Sequence, residues 1–349
     1  MTKNFIVKLH SIAGLIAGLF ILLMSLSGAV LVFHANLDAL HQPAVKLSST
    51  KNISIDSAYR AIQHHYPHAQ ISNVVLPENS SSPFSFFIYD SSYKTGKAAM
   101  QVLLHPQTAA VLKAGGSNNF VSWLSKFHNS LQLGKTGEWL LGVFALIFLL
   151  SLVTGLILFS KNIASVLLFK KAVYKGSNLH QLIGVYALLF NLMIAVTGFW
   201  MQRYVFKKEF YQSYDYTPVL KTSPSIPFTF DSAYSNIKKQ YPDFTAAVIY
   251  FAQSNSGKTA VYGSRASNAY IHSRKFADAI FLDSAGAIAK TRLVTEISAD
   301  DRYDIINSQL HMGRFGGMGI KIIYFVFGLS GGLLSITGFL LWWRRRKRK

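Results

Sequence analysis

Four stretches of this chain stay apolar for about twenty residues each, the length of helix that crosses a lipid bilayer. They are Ile12 to Phe33, Trp139 to Phe159, Leu182 to Trp200 and Ile320 to Trp343. The only charged residue inside them is Lys321, at the start of the fourth. Lipid offers no hydrogen bonds to a backbone, so each run predicts a transmembrane helix. The first is too long for a signal-peptide core and no small-residue cleavage site follows it, which predicts a retained helix. Only 14% of residues are charged and 50% are hydrophobic, which excludes a disordered or fibrous chain.

The formal net charge is +20, and its placement decides its meaning. Basic residues flank the helices at Lys3 and Lys8, at Lys161, Lys170, Lys171 and Lys175, and from Arg344 to Lys349, with no acid in any of these flanks. Positive flanks stay on the cytoplasmic side. Much of the charge is therefore a topology signal rather than a nucleic-acid footprint. The expected order is transmembrane helix 1 over 1–34, a first periplasmic domain over 35–121, a His segment with helix 2 over 122–160, and a cytoplasmic loop over 161–178. Helix 3 over 179–203, a second periplasmic domain over 204–303, a His segment with helix 4 over 304–343 and a basic cytoplasmic tail over 344–349 complete it. This is a multi-pass protein of a bacterial inner membrane, with both termini cytoplasmic and membrane lipid as its surroundings. Cysteine is absent, which excludes thiol nucleophiles, thiolate metal sites, iron–sulfur clusters and disulfides.

The chain reads as a tandem duplication. Ile55-Asp56-Ser57-Ala58-Tyr59 recurs as Phe230-Asp231-Ser232-Ala233-Tyr234, and Tyr66-Pro67 as Tyr241-Pro242. Each copy predicts an Asp N-cap and an amphipathic helix, followed by an antiparallel sheet, an α+β pattern. The membrane helices repeat as well. Leu9-His10 and Leu179-His180 head helices one and three, each 17 residues before a Ser27-Gly28 or Thr197-Gly198 pair. His128 and His311 each precede, by 26 residues, Thr154-Gly155 or Thr337-Gly338. Helix–domain–helix thus occurs twice in parallel, which predicts a pseudo-twofold axis along the membrane normal.

Of the 11 histidines, these four occupy repeated positions. The axis brings His10 to face His180 on the cytoplasmic side, and His128 to face His311 on the periplasmic side. Imidazole is a good ligand for iron, copper or zinc. Two His do not complete a zinc site, but they fill both axial positions of a haem iron. Gly14 and Gly18, one stripe with His10, and Gly184 after His180 offer close approach for a flat cofactor. Lys8, Lys126 and Arg314 are basic partners for propionates, and Trp123 and Phe127 are candidates to pack on it. His34, not duplicated, is an alternative ligand about 36 Å along the helix from His10 at 1.5 Å per residue. His41, His64, His65, His68, His105 and His272 fall on the domains. Ser256-Gly257-Lys258-Thr259 lacks the first glycine of a phosphate loop and reads as a turn.

The Leu-His helix heads, the Thr-Gly pairs and the Asp-Ser-Ala-Tyr…Tyr-Pro domain starts together resemble the PepSY-associated transmembrane family, including its PiuB-like and FoxB-like ferric-siderophore reductases. The resemblance implies two periplasmic PepSY domains on an inner-membrane haem b protein, with two haems held by His10, His180, His128 and His311. It implies an oxidoreductase in iron uptake that reduces a periplasmic ferric siderophore or other chelate and releases Fe(II). Its electrons come from a separate cytoplasmic reductase or from quinol. The competing reading is a non-redox binding, sensing or peptidase-inhibitory PepSY module on a membrane anchor.

Overall fold

The computed structural model describes residues 2–40, 54–78, 82–91, 99–116, 120–168, 176–207, 210, 226–253, 257–266 and 275–347. Along the chain run α1 (Lys3–Leu31), α2 (His34–Leu40), α3 (Ile55–His65), β1 (Gln70–Val75), β2 (Phe84–Tyr89), β3 (Met100–Leu104), β4 (Val111–Gly116), α4 (Phe120–Ser130), α5 (Gly134–Phe159) and α6 (Ile163–Leu167). Then follow α7 (Gly176–Tyr186), α8 (Leu188–Gln202), α9 (Phe230–Gln240), β5 (Phe244–Tyr250), β6 (Thr259–Arg265), β7 (Asp278–Leu282), β8 (Ile288–Arg292), α10 (Ala299–Met312) and α11 (Met318–Arg346). They divide into a helical unit and an α+β unit, the last boundary falling inside α10 between Ile306 and Asn307.

In the helical unit three helices are long and apolar enough to cross a membrane: Lys3–Leu31, Gly134–Leu167 and Met318–Arg346. A fourth span is formed if Leu179–Tyr186 and Leu188–Phe206 are taken together, although they are bent by 64° at the break. The sequence pattern predicted an unbroken third span, and no proline marks the bend. Asn191 Nδ2 donates to the Ala187 carbonyl at 3.0 Å, which gives a polar partner to the backbone at the break. Helix α1 lies along α11 and α5, and α5 along α8. Small residues close the α1–α11 seam. Ser335 Oγ donates to the Gly18 carbonyl, and a methyl at Gly328 would sit 3.6 Å from Ala29 Cβ. Close backbone approach through small residues is how helices associate where lipid removes the hydrophobic drive.

The α+β unit differs from the expectation of two separate domains. Both repeats contribute to one antiparallel sheet of order β4-β3-β2-β1-β5-β6-β7-β8. The seam pairs Asn73 with Tyr250, Val74 with Ile249 and Val75 with Val248. Bulges fall at Ile71/Asn73 and at Ala246/Val248, the same place in each repeat. Beside them Phe251 N donates to the Ser72 carbonyl at 3.0 Å and Leu76 N to the Ala247 carbonyl at 2.9 Å. A four-stranded sheet on its own leaves β1 or β5 as an open edge, and joining them removes two edges at once. The core is likewise shared: Tyr59 lies 5.2 Å from Phe230 and 4.8 Å from Phe251, ring centre to ring centre.

The helix starts correct a second expectation. The N-cap positions are Ser54 and Thr229, and Asp56 and Asp231 sit in the first turns. Each carboxylate caps the other repeat's helix. Asp231 Oδ1 accepts from Ile55 N at 2.8 Å and Oδ2 from Ser54 Oγ at 2.6 Å. Asp56 accepts from Phe230 N at 2.8 Å and from Asp231 N at 2.9 Å.

Candidate functional site

The helical unit brings the four repeated histidines together in two pairs. His10 and His180 have ring centroids 6.3 Å apart, and His128 and His311 are 6.5 Å apart. Four helices supply the rings: α1 and α7 for the first pair, α4 and α10 for the second. His10 and His180 lie within the first three turns of α1 and α7, and His128 and His311 in the last turns of α4 and α10, places where a polar ring does not interrupt an apolar stretch.

Each ring is held in the same way, by a hydroxyl and a glycine from a neighbouring helix. His10 Nδ1 lies 3.2 Å from Thr154 Oγ1 and 3.0 Å from the Ser151 carbonyl. His180 Nδ1 lies 2.9 Å from Thr337 Oγ1, His128 Nδ1 lies 2.8 Å from Ser27 Oγ, and His311 Nδ1 lies 3.0 Å from Thr197 Oγ1. These hydroxyls already donate four residues back along their own helices, Thr154 to Leu150, Thr197 to Met193, Thr337 to Leu333 and Ser27 to Leu23. The network therefore assigns the proton to Nδ1 and leaves Nε2 with a bare lone pair. The glycine after each hydroxyl makes room for the ring. A methyl at Gly155, Gly198, Gly28 or Gly338 would come within 3.0–3.3 Å of the Cε1 of His10, His311, His128 or His180 respectively. The capture is reciprocal: α1 lends Ser27-Gly28 to His128 and takes Thr154-Gly155 from α5 for His10, and α8 and α11 serve His311 and His180 likewise.

The spacing of the pairs has a chemical meaning. A metal–imidazole bond of about 2.0–2.1 Å on each side, plus about 1.1 Å from ring nitrogen to centroid, separates opposed centroids by about 6.2–6.4 Å. The first pair, at 6.3 Å, falls within that range, and the second, at 6.5 Å, lies just above it. Among the described residues no group of three or more His, Asp or Glu is placed to hold a metal ion, and two imidazoles alone do not complete a tetrahedral zinc site. A cavity of about 310 Å³ adjoins the second pair, lined by His128, His311, Phe20, Phe144, Asn191 and Arg314 among others. Burial, and for His128 the neighbouring His311, pushes His128 and His311 down to about 4. Both are neutral at pH 7, the form that ligates metals.

Other candidates sit elsewhere. His34 donates from Nδ1 to the Leu31 carbonyl at 3.0 Å, and its Nε2 meets Arg314 Nη2 at 3.1 Å. Both nitrogens of His34, the alternative ligand expected from the sequence, are engaged in these hydrogen bonds. Gly14 and Gly184 face Ser151 and Leu334, and Gly18 faces Ser335, all as helix-packing contacts. Lys8, Lys126 and Trp123 are exposed. His105 accepts from Gln107 N and Thr108 N as a turn residue, and His64, His65 and His68 form no metal cluster. His41 and His272 lie outside the described residues. The Ser/Thr-Gly pairs were visible as spacing markers; their role as cradles was not, because each serves a ring more than a hundred residues away in sequence.

Apolar spans, two pairs of partly buried imidazoles and a separate α+β unit define a helical membrane protein with two paired-histidine sites. The family model for the PepSY-associated TM region matches residues 7–345, and the chain belongs to that family. A comparison with curated proteins returned no match.

Proposed function

We propose that the chain holds two haem b groups, one between His10 and His180 and one between His128 and His311. In this reading it is an oxidoreductase that passes electrons from the cytoplasmic side of a bacterial inner membrane to a ferric siderophore or similar chelate in the periplasm. The observation that carries this is the centroid spacing of 6.3 and 6.5 Å with a bare Nε2 on every ring. The basic flanks and the doubled helix–domain–helix order, read as a tandem duplication with a pseudo-twofold axis along the membrane normal, support the orientation.

Held by His10 with His180 and by His128 with His311, haem b would supply a one-electron redox change at each pair. The chain's own residues do the rest. Ser27, Thr154, Thr197 and Thr337 hold the protons on Nδ1, and their glycines let the rings pack against helix backbone. Phe20 and Phe144, stacked at 3.4 Å between centroids, form part of the cavity's apolar lining. His10 and Ser27 are 17 residues apart on α1, about 25 Å at 1.5 Å per residue. The two sites thus divide a hydrocarbon core of about 30 Å. The electron donor is a cytoplasmic reductase or quinol. Fe(II) binds hard oxygen chelators far more weakly than Fe(III), so reduction frees the metal.

Purified protein reduced with a stoichiometric trace of dithionite tests this. Mixed with a ferric hydroxamate, it should be reoxidised and release Fe(II) that ferrozine traps. A protein that stays reduced, with no Fe(II) formed, would contradict the reading.

A further inference from the structure

The cavity beside His128 and His311 is not uniform. Phe20, Phe144, Phe148 and Phe190 line part of it, while Arg314, His34, Gln202 and Asn129 are among its polar lining residues. Among the described residues, none that lines it is acidic. Arg314 follows His311 by three residues, and its hydrogen bond among the described residues goes from Nη2 to His34 Nε2 at 3.1 Å. His34 is fixed by its Nδ1–H to the Leu31 carbonyl, so Nε2 only accepts. A guanidinium carries five N–H donors in a planar fork built for carboxylates. Here one of them meets the His34 ring, and among the described residues no carboxylate closes the fork of this exposed side chain. Gln202 adds an independent sign. Its Oε1 is buried without a partner, and its Nε2 has only a long contact of 3.4 Å to the Asn129 carbonyl. Exchanging the amide's oxygen and nitrogen, an assignment made from the network alone, turns that orphan acceptor into a donor.

We propose that Arg314, oriented by His34 and assisted by Gln202, is the carboxylate anchor of this cavity. The ligand it fits has a flat apolar body for the phenylalanines and carboxylates at one edge. His34 is then a positioning residue for Arg314 and not an iron ligand. The inference rests on the reading of the cavity as a haem site, whose propionates are such carboxylates. Carboxylates of an incoming ferric chelate are the other source of the same chemistry.

The test uses full-length protein in detergent, stripped of haem and titrated with haem or with haem dimethyl ester, followed by absorbance and by the reduction potential of each site. Wild type should bind the free acid at least about ten-fold more tightly than the ester at one site, the scale of a charged hydrogen bond. Arg314→Gln should abolish that preference and lower the potential of the same site, because a positive charge favouring the reduced form is gone. His34→Phe should weaken the preference in the same direction, with Arg314→Lys intermediate. The His10/His180 site, unchanged in both variants, reports that they are folded. If Arg314→Gln discriminates acid from ester as wild type does, a second reading decides the source. Slower reoxidation of the reduced variant by ferric citrate, with an unchanged rate for an uncharged ferric hydroxamate, places the anchored carboxylate on the chelate. Unchanged rates with both overturn the proposal. Wild type that takes up no haem overturns the haem reading itself, and the anchor with it.

Discussion

A hydroxyl, a glycine and a distant imidazole recur four times, and each part has a separable duty. The hydroxyl fixes which ring nitrogen carries the proton, and the glycine fixes how near the ring lies to the helix. Thr197→Val keeps the shape but removes the acceptor for His311 Nδ1. It should weaken haem retention at that site by about 10–100-fold, the usual cost of losing an outer-shell partner of a ligating His. Thr197→Ser should restore retention, and a haem titration with absorbance detection separates the two. The same scale carries a pH dependence. In haem-free protein His128 and His311 are held near 4 by burial, below the ordinary 6.5. Their folded-state values are depressed, so the unfolded chain binds protons first as pH falls. The stability they contribute is present above pH 6.5 and is lost between about 6.5 and about 4. Thermal melts of haem-free protein should show Tm falling through that window, and His128→Leu/His311→Leu should flatten the fall. A Tm in that window that is the same for both proteins would contradict it.

The elements of the α+β unit meet through exchanged caps and a paired seam. Asp231→Ala removes the acceptors of Ile55 N and Ser54 Oγ, at a cost of about 0.5–2 kcal/mol, the range for a lost helix cap. Hydrogen exchange should show the Ile55 amide, in the other repeat, losing protection; unchanged exchange there would refute the swap. This exchange was not legible in the sequence. Asp56 and Asp231 look like caps of their own helices because the local pattern is the same in both repeats, and only the tertiary meeting of two helix starts trades them. The β1–β5 seam was hidden for a related reason: strand pattern marks an edge but not which edge it joins. Strands, turns and amphipathic helices were legible, since alternation and turn residues are local signals. The bend between α7 and α8 carries no proline and gave no signal.

Across the whole molecule the spans and the two histidine pairs were readable because hydropathy and repeat spacing do not depend on tertiary detail. A fixed interval from His10 to Ser27-Gly28 and from His128 to Thr154-Gly155 recorded α1 and the successive helices α4 and α5 clasping each other's rings, although the clasp itself needed three dimensions. The central claim is that each pair holds one haem. It is tested most directly by the haem-to-protein ratio, measured by pyridine haemochrome on the full chain made in haem-replete cells. The account predicts about two haem b per chain, falling to one in His10→Ala/His180→Ala and to one in His128→Ala/His311→Ala. A colourless wild type, or a ratio that does not change when a pair is removed, would contradict it.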